Sequence, residues 1–265
     1  MNTDETYTIK IKRALGDRLY EVREQIKHAW HSVMDGEAKS GKAEGLALSF
    51  DDDYVDDWYS FRDLFNRYGA KVTFFVSNFN NLTKESIEKL KILKDDGHEI
   101  GFHGLNHLDA IKFMDENSID KYLAAEILPG IDAMTVHGLT PLTFSYPFGQ
   151  RAPHIDKALS KHFKYLRGVV CTNGKKRIYD FWQIYYYHDN DGLLFAAGID
   201  NVYRNNIDEI HEALRKARKK KKTILLYGHR TTEEAGDYCI SAASLEAILK
   251  YASQIGMTFY RITDL

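Results

Sequence analysis

From residue 45 onward the chain alternates short apolar runs with longer stretches whose apolar residues recur every three or four positions. The short runs, at 46–50, 71–76, 98–102, 142–146, 165–170, 193–199, 223–227 and 257–262, predict eight strands. Helices are predicted between them, at about 57–68, 83–95, 118–134, 154–163, 207–221 and 241–254, several closed by a glycine such as Gly69, Gly97 or Gly256. Strands separated by helices predict an α/β fold with a parallel sheet. Eight strands against six helices predict a distorted, incomplete (β/α) barrel filling residues 45–265 as one domain. Residues 1–44 break the rhythm: an alternating stretch, Tyr7-Thr8-Ile9-Lys10-Ile11, leads into a charged, helix-prone segment and then a polar link from Gly36 to Gly45. They are expected to form an N-terminal extension packed on or beside the barrel.

Composition narrows the function classes. The 265 residues are 44% hydrophobic and 28% charged, the balance of an ordinary globular protein. A formal net charge of −2 supplies no field to recruit nucleic acid. The basic run Arg215 to Lys222 closes a helix that begins with Asp208 and Glu209, a polarity that complements the helix dipole on a solvated surface. Cys171 and Cys239 form no paired motif, so neither a disulfide framework nor a cysteine zinc cluster is expected. No apolar leader or membrane-length run is present, and the chain as it stands is expected to be soluble and cytoplasmic, exported if a leader has been removed. Seventeen tyrosines and 14 phenylalanines would suit a cleft that stacks on sugar rings, although aromatics fill cores equally well.

In barrels of this kind the chemistry gathers where strands end and the following loops converge. Asp51-Asp52-Asp53 follow the first predicted strand, and His103 and His107 follow the third. Tyr146-Pro147-Phe148-Gly149 follow the fourth, and Gly228-His229 the seventh. Three successive aspartates repel one another and call for solvent, pairing or a cation, unless they cap the next helix. Two histidines four residues apart share one face of a helical turn and can bind one ion. With one aspartate they make three protein ligands and leave a coordination position open, the catalytic rather than the structural arrangement. Tyr227, with Leu225 and Leu226, could line a pocket for a small apolar group, although strand leucines mostly fill a barrel core.

These motifs resemble the polysaccharide deacetylases of carbohydrate esterase family four, the NodB-homology group, over nearly everything from residue 45. Ser49-Phe50-Asp51-Asp52-Asp53 is similar to the family's first motif, which implies Asp51 as general base and Asp52 as metal ligand. The two-histidine motif implies His103 and His107 as the remaining ligands of a divalent ion, Zn²⁺ first and Co²⁺, Ni²⁺ or Mn²⁺ as alternatives. Ser145-Tyr146-Pro147-Phe148-Gly149 resembles the third motif and implies the Phe148 N–H as an oxyanion donor, with Pro147 beside it. Leu225-Leu226-Tyr227-Gly228-His229 resembles the fifth and implies His229 as general acid. Asp180-Phe181-Trp182 matches the fourth loosely, making Trp182 a pocket candidate.

The departures are specific. Asp53 stands in place of a glycine, Gly228 adds a residue before His229, and Ser145 occupies the place of an arginine that would pair with Asp51. That pairing is left for another cation. The resemblance implies a metal-dependent hydrolase that removes acetyl groups, N-acetyl above all, from a carbohydrate. Two other functions stay open: hydrolysis of a non-sugar amide or formamide on the same fold, and a non-catalytic carbohydrate-binding homologue.

Overall fold

The computed structural model describes residues 42–170, 176–188, 192–234 and 236–265; the expected N-terminal extension lies almost wholly outside them. Seven parallel strands close a barrel: β1 (Gly45–Asp52), β2 (Thr73–Val76), β3 (Glu99–Phe102), β4 (Thr143–Ser145), β5 (Tyr165–Val169), β7 (Leu193–Gly198) and β8 (Thr223–Gly228), with β8 returning to pair with β1. A short β6 (Tyr185–Tyr186) pairs antiparallel with the start of β8, and a two-stranded ribbon of β9 (Arg230–Thr232) and β10 (Cys239–Ser241) follows it.

The eighth predicted strand forms but stays outside the ring. As β11 (Thr258–Tyr260) it pairs with Gly45 to Ala47, while β2 takes Ser49 to Asp52 and β8 pairs along Gly45 to Phe50. The barrel is therefore distorted and incomplete, with β1 hydrogen-bonded to three neighbours.

Period-two alternation decides what each strand shows to each side. In β1, Leu46, Leu48 and Phe50 belong to the core shared with the helices, and Ala47 to a second core inside the ring. The same parity places Phe75, Leu225 and Tyr227 inside and Phe74, Ile224 and Leu226 outside. Inward positions also carry buried polar groups: Ser49, Asp51, Thr73, Glu99, Thr143, Ser145 and Arg167. Near the strand starts, Glu99 accepts from Thr73 Oγ1 (2.8 Å), Thr143 Oγ1 (2.7 Å) and the Thr263 N–H (3.0 Å), which ties the C-terminus across the barrel floor.

Helices α1 (Val55–Ser60), α2 (Arg62–Arg67), α3 (Lys84–Asp95), α4 (Ala110–Glu116) and α5 (Ile119–Tyr122) precede α6 (Leu128–Thr135), α7 (Pro153–Leu159), α8 (Ile207–Lys219) and α9 (Ala242–Gln254). The helix predicted over 118–134 contains a π turn, Leu123–Ile127, two residues before Pro129, whose missing N–H cannot continue the regular ladder. Helix α4 was not predicted; it is capped by Asp109, whose carboxylate accepts from the Ile111 (3.0 Å) and Lys112 (3.1 Å) N–H groups.

Candidate active site

The ends of β1, β3, β4, β5, β7 and β8 surround a cleft of about 540 Å³ lined by Asp51, Asp52, His103, His107, Phe148 and His229, among others. Seven non-glycine residues have positive φ among those described, and four of them line this cleft: Asp52 (85°), His107 (53°), Phe148 (58°) and Tyr238 (48°). Left-handed backbone costs free energy in residues with a Cβ, and its concentration at one site marks geometry fixed by the surroundings.

Asp52, His103 and His107 offer one ligand atom each within 4.8 Å of one another. Asp52 Oδ1 lies 3.6 Å from His103 Nε2 and 3.2 Å from His107 Nε2, and the two Nε2 atoms are 3.2 Å apart. His103 Nδ1 is 2.9 Å from the Ser145 carbonyl, which can only accept, so Nδ1 carries the hydrogen and Nε2 presents its lone pair. Burial pulls the His103 pKa down to about 4. Burial alone would raise Asp52, but its hydrogen bond to His107 and the neighbouring histidine charges leave it net lowered. Neutral imidazole nitrogens converging with a carboxylate fit a divalent transition-metal ion. A loop, not the expected helical turn, brings the histidines together, with Gly104 (85°) and His107 (53°) both at positive φ.

Asp51 points into the barrel, 3% exposed. Arg167, at the centre of β5 and fully buried, places Nη2 against both of its carboxylate oxygens. The guanidinium lies between the rings of Phe75 (5.4 Å) and Tyr227 (4.6 Å). Ser145 Oγ reaches Asp51 only at 3.5 Å. The cation missing from position 145 thus comes from the neighbouring strand.

His229 is held from two sides. The buried Asp200, just past β7, accepts its Nδ1–H (2.6 Å) and its backbone N–H (3.1 Å), and Trp58 Nε1 donates to its carbonyl at 2.7 Å. Nε2 is left for the cleft. Burial works to lower the imidazole pKa, but the Asp200 hydrogen bond and the charges of Asp51, Asp200 and Asp52 outweigh it, so the net shift is upward. The inserted glycine has a use here: a Cβ on Gly228 would sit 3.0 Å from Asp200 Oδ1.

The remaining predicted residues divide. Phe148 stands at the rim, with its ring edge-on to His107 (4.5 Å), while Pro147 is buried on the Gly104 side. Tyr227 lines the cleft and shares a 2.7 Å hydrogen bond with Tyr203. Leu225 and Leu226 do not line it, because parity sends one into the barrel and the other under the helices; Val169 and Val170 take that place. Trp182 is also absent from the lining. It precedes β6, which pairs with the first residues of β8, at the opposite end of the barrel. Asp53 accepts from Asn78 Nδ2 (3.1 Å) and is not part of the ligand cluster. Arg167, a charge in the middle of an apolar run, and Asp200, the residue directly after a predicted strand, join the site without belonging to any of its sequence motifs.

The polysaccharide deacetylase family model matches residues 38–165. A peptidoglycan-N-acetylglucosamine deacetylase of Bacillus cereus is 37% identical over 106 residues, covering 39% of this chain and 46% of that protein. A chitin deacetylase of Arthroderma benhamiae is 30% identical over 118 residues, covering 44% of this chain and 31% of that protein. The chain spans less than half the length of the curated relatives it matches. The solved chitin deacetylase of Colletotrichum lindemuthianum has the same fold, with a TM-score of 0.56 at 13% identity over 84% of this chain and 87% of that one. Motifs, sequence matches and barrel agree in supporting a NodB-type deacetylase similar to the polysaccharide deacetylases of carbohydrate esterase family four.

Proposed function

We propose that this protein hydrolyses acetyl groups, N-acetyl first among them, from an acetylated carbohydrate, with a divalent metal held by Asp52, His103 and His107. One observation carries the reading: a single cleft unites that ligand set with a buried carboxylate and a partly buried imidazole, each held by its own counter-charge. The curated relatives named for chitin and peptidoglycan N-acetylglucosamine support the substrate class. Zn²⁺ suits the two-imidazole, one-carboxylate donor set, and Co²⁺, Ni²⁺ or Mn²⁺ would also be accepted.

When bound, such an ion supplies a Lewis acid that polarises the acyl carbonyl and lowers the pKa of water from 15.7 toward roughly 7. Asp51, oriented by Arg167, accepts a proton from the attacking water as its oxygen bonds to the carbonyl carbon. The Phe148 N–H donates to the developing oxyanion, an interaction of a type whose loss costs roughly 100-fold or more. His229, its Nδ1 committed to Asp200, gives its Nε2 proton to the leaving nitrogen as the C–N bond breaks. The products are acetate and a free amine. Acid and base groups placed in this way contribute roughly 100- to 10,000-fold each. Val169, Val170 and Tyr227 shape the space beside them for the acetyl methyl.

The test is acetate release from N-acetylglucosamine oligomers and acetylated xylan, with small cyclic amides in the same panel, using Zn²⁺-loaded protein. Asp51→Asn and His229→Ala should keep the metal and lose turnover. Sugar binding without acetate release, turnover of the cyclic amides alone, or activity that survives complete metal removal would overturn the assignment.

A further inference from the structure

Carboxylates are among the costliest groups to bury, and Glu126, in the π turn before α6, is 0% exposed. Its surroundings are the N–H groups of one loop. The Asn106 N–H lies 3.1 Å from Oε1 and 3.0 Å from Oε2, the Leu108 N–H lies 3.0 Å from Oε1, and Asn106 Nδ2 lies 3.0 Å from Oε2. The two backbone donors flank His107 on either side. The approach depends on Gly104 (φ 85°), where a Cβ would sit 2.4 Å from Glu126 Oε1. A π turn widens the helix locally and is frequent at functional sites; here it brings Glu126 under the loop.

The two histidines are anchored differently. His103 continues β3, and its ring is fixed by the Ser145 carbonyl. His107 lies beyond the strand at φ 53°, and its backbone is set by the hydrogen bonds at positions 106 and 108. We infer that Glu126 is a positioning residue: acting through the Asn106 and Leu108 N–H groups, it fixes His107 against His103 and Asp52 and so sets the protein's affinity for the divalent cation. This rests on the metal reading above. Glutamine at 126 keeps the shape but turns an NH₂ toward an N–H donor, and the loop loses part of its hold.

Apo-protein is titrated with Co²⁺, following the visible ligand-field band against a competing chelator. Wild type should bind one equivalent; if it binds none, the metal reading itself fails and takes this inference with it. With wild-type binding established, Glu126→Gln should weaken Co²⁺ affinity about 10- to 100-fold, the range for loss of groups that orient metal ligands. Asn106→Ala, at an exposed position, removes one donor to the same carboxylate and should weaken it less. Glu99→Gln removes a different buried carboxylate at the barrel floor and should lower thermal stability while leaving Co²⁺ affinity within about twofold of wild type, the span of ordinary context effects. The inference is overturned if folded Glu126→Gln binds Co²⁺ like wild type, or if Glu99→Gln weakens binding as much as Glu126→Gln. Should Glu126→Gln not fold, unchanged affinity in Asn106→Ala overturns it.

Discussion

Replacing Asp200 by asparagine removes a charge and almost no volume, and its consequences for His229 follow from two contacts. Asp200 accepts the imidazole Nδ1–H at 2.6 Å and the backbone N–H at 3.1 Å, with no exposure to solvent. Asparagine can keep one of these with its oxygen but turns an NH₂ toward the other. A hydrogen bond between charged partners contributes about 1.5–3 kcal/mol and a neutral one about 0.5–1.5 kcal/mol. The protonated imidazole therefore loses about 1–1.5 kcal/mol, roughly one pH unit at 1.36 kcal/mol per unit. Burial, the largest influence on His229, already favours the neutral ring and is then opposed less strongly. In the proposed mechanism His229 must be protonated to act as general acid, so activity falls as pH rises through its pKa. In Asp200→Asn the alkaline limb of kcat/KM against pH should move down by about one unit, and the rate at its optimum should fall by roughly 100-fold or more as the ring loses its orientation. Acetate release across pH measures the first effect, and the imidazole proton resonance of His229 follows the same titration without substrate. A His229 midpoint and alkaline limb that both stay at wild-type values would refute the reasoning.

Arg167→Met should destabilise the fold by about 3–5 kcal/mol in urea denaturation, because it leaves Asp51 buried without its cation; Arg167→Met combined with Asp51→Asn should recover most of that loss, and strict additivity would contradict a direct pair. Removing metal with a chelator should lower the apparent stability by about 2.7 kcal/mol relative to protein in free metal at 100 times the dissociation constant, visible as a lower Tm; an unchanged Tm would argue against the site. His98 accepts the Val72 N–H at 3.1 Å, and its pKa is pulled by burial from the ordinary 6.5 to about 4. The folded state resists protonating it, so its stability is complete above pH 6.5 and is lost progressively toward pH 4, by about 3 kcal/mol. His98→Gln should flatten the stability-versus-pH curve over that window. Glu99, raised by burial, has the opposite sign, its contribution being lost as pH rises through its folded pKa.

The barrel was legible because period-two runs such as Leu46 to Phe50 and Ile224 to Tyr227 are long enough to specify both faces of a strand. Asp52, His103, His107, Asp51 and His229 were legible because they sit in short local motifs at strand ends. The partners that hold them were not, since pairing across a closed barrel joins residues 116 positions apart for Asp51 and Arg167 and 29 apart for Asp200 and His229. Arg167 still left a trace: in an otherwise apolar run its inward parity demands a buried anion. Trp182 misled because a tryptophan near an aspartate carries no information about which end of the barrel it occupies. Four-residue spacing points the histidine pair to a helical turn, because spacing alone cannot reveal the left-handed residues that fold a loop to the same end.

The three-way pairing of β1 has a consequence for how such a protein can diversify. The strand that delivers Asp51 and Asp52 is zipped along both edges, whereas Phe148 and Tyr238 at the cleft mouth lie outside the barrel strands. Insertions and exchanges at the mouth disturb none of the ladder hydrogen bonds that hold the aspartates. The shape of the cleft mouth can therefore change by loop replacement while the strand that carries Asp51 and Asp52 keeps its pairing on both edges.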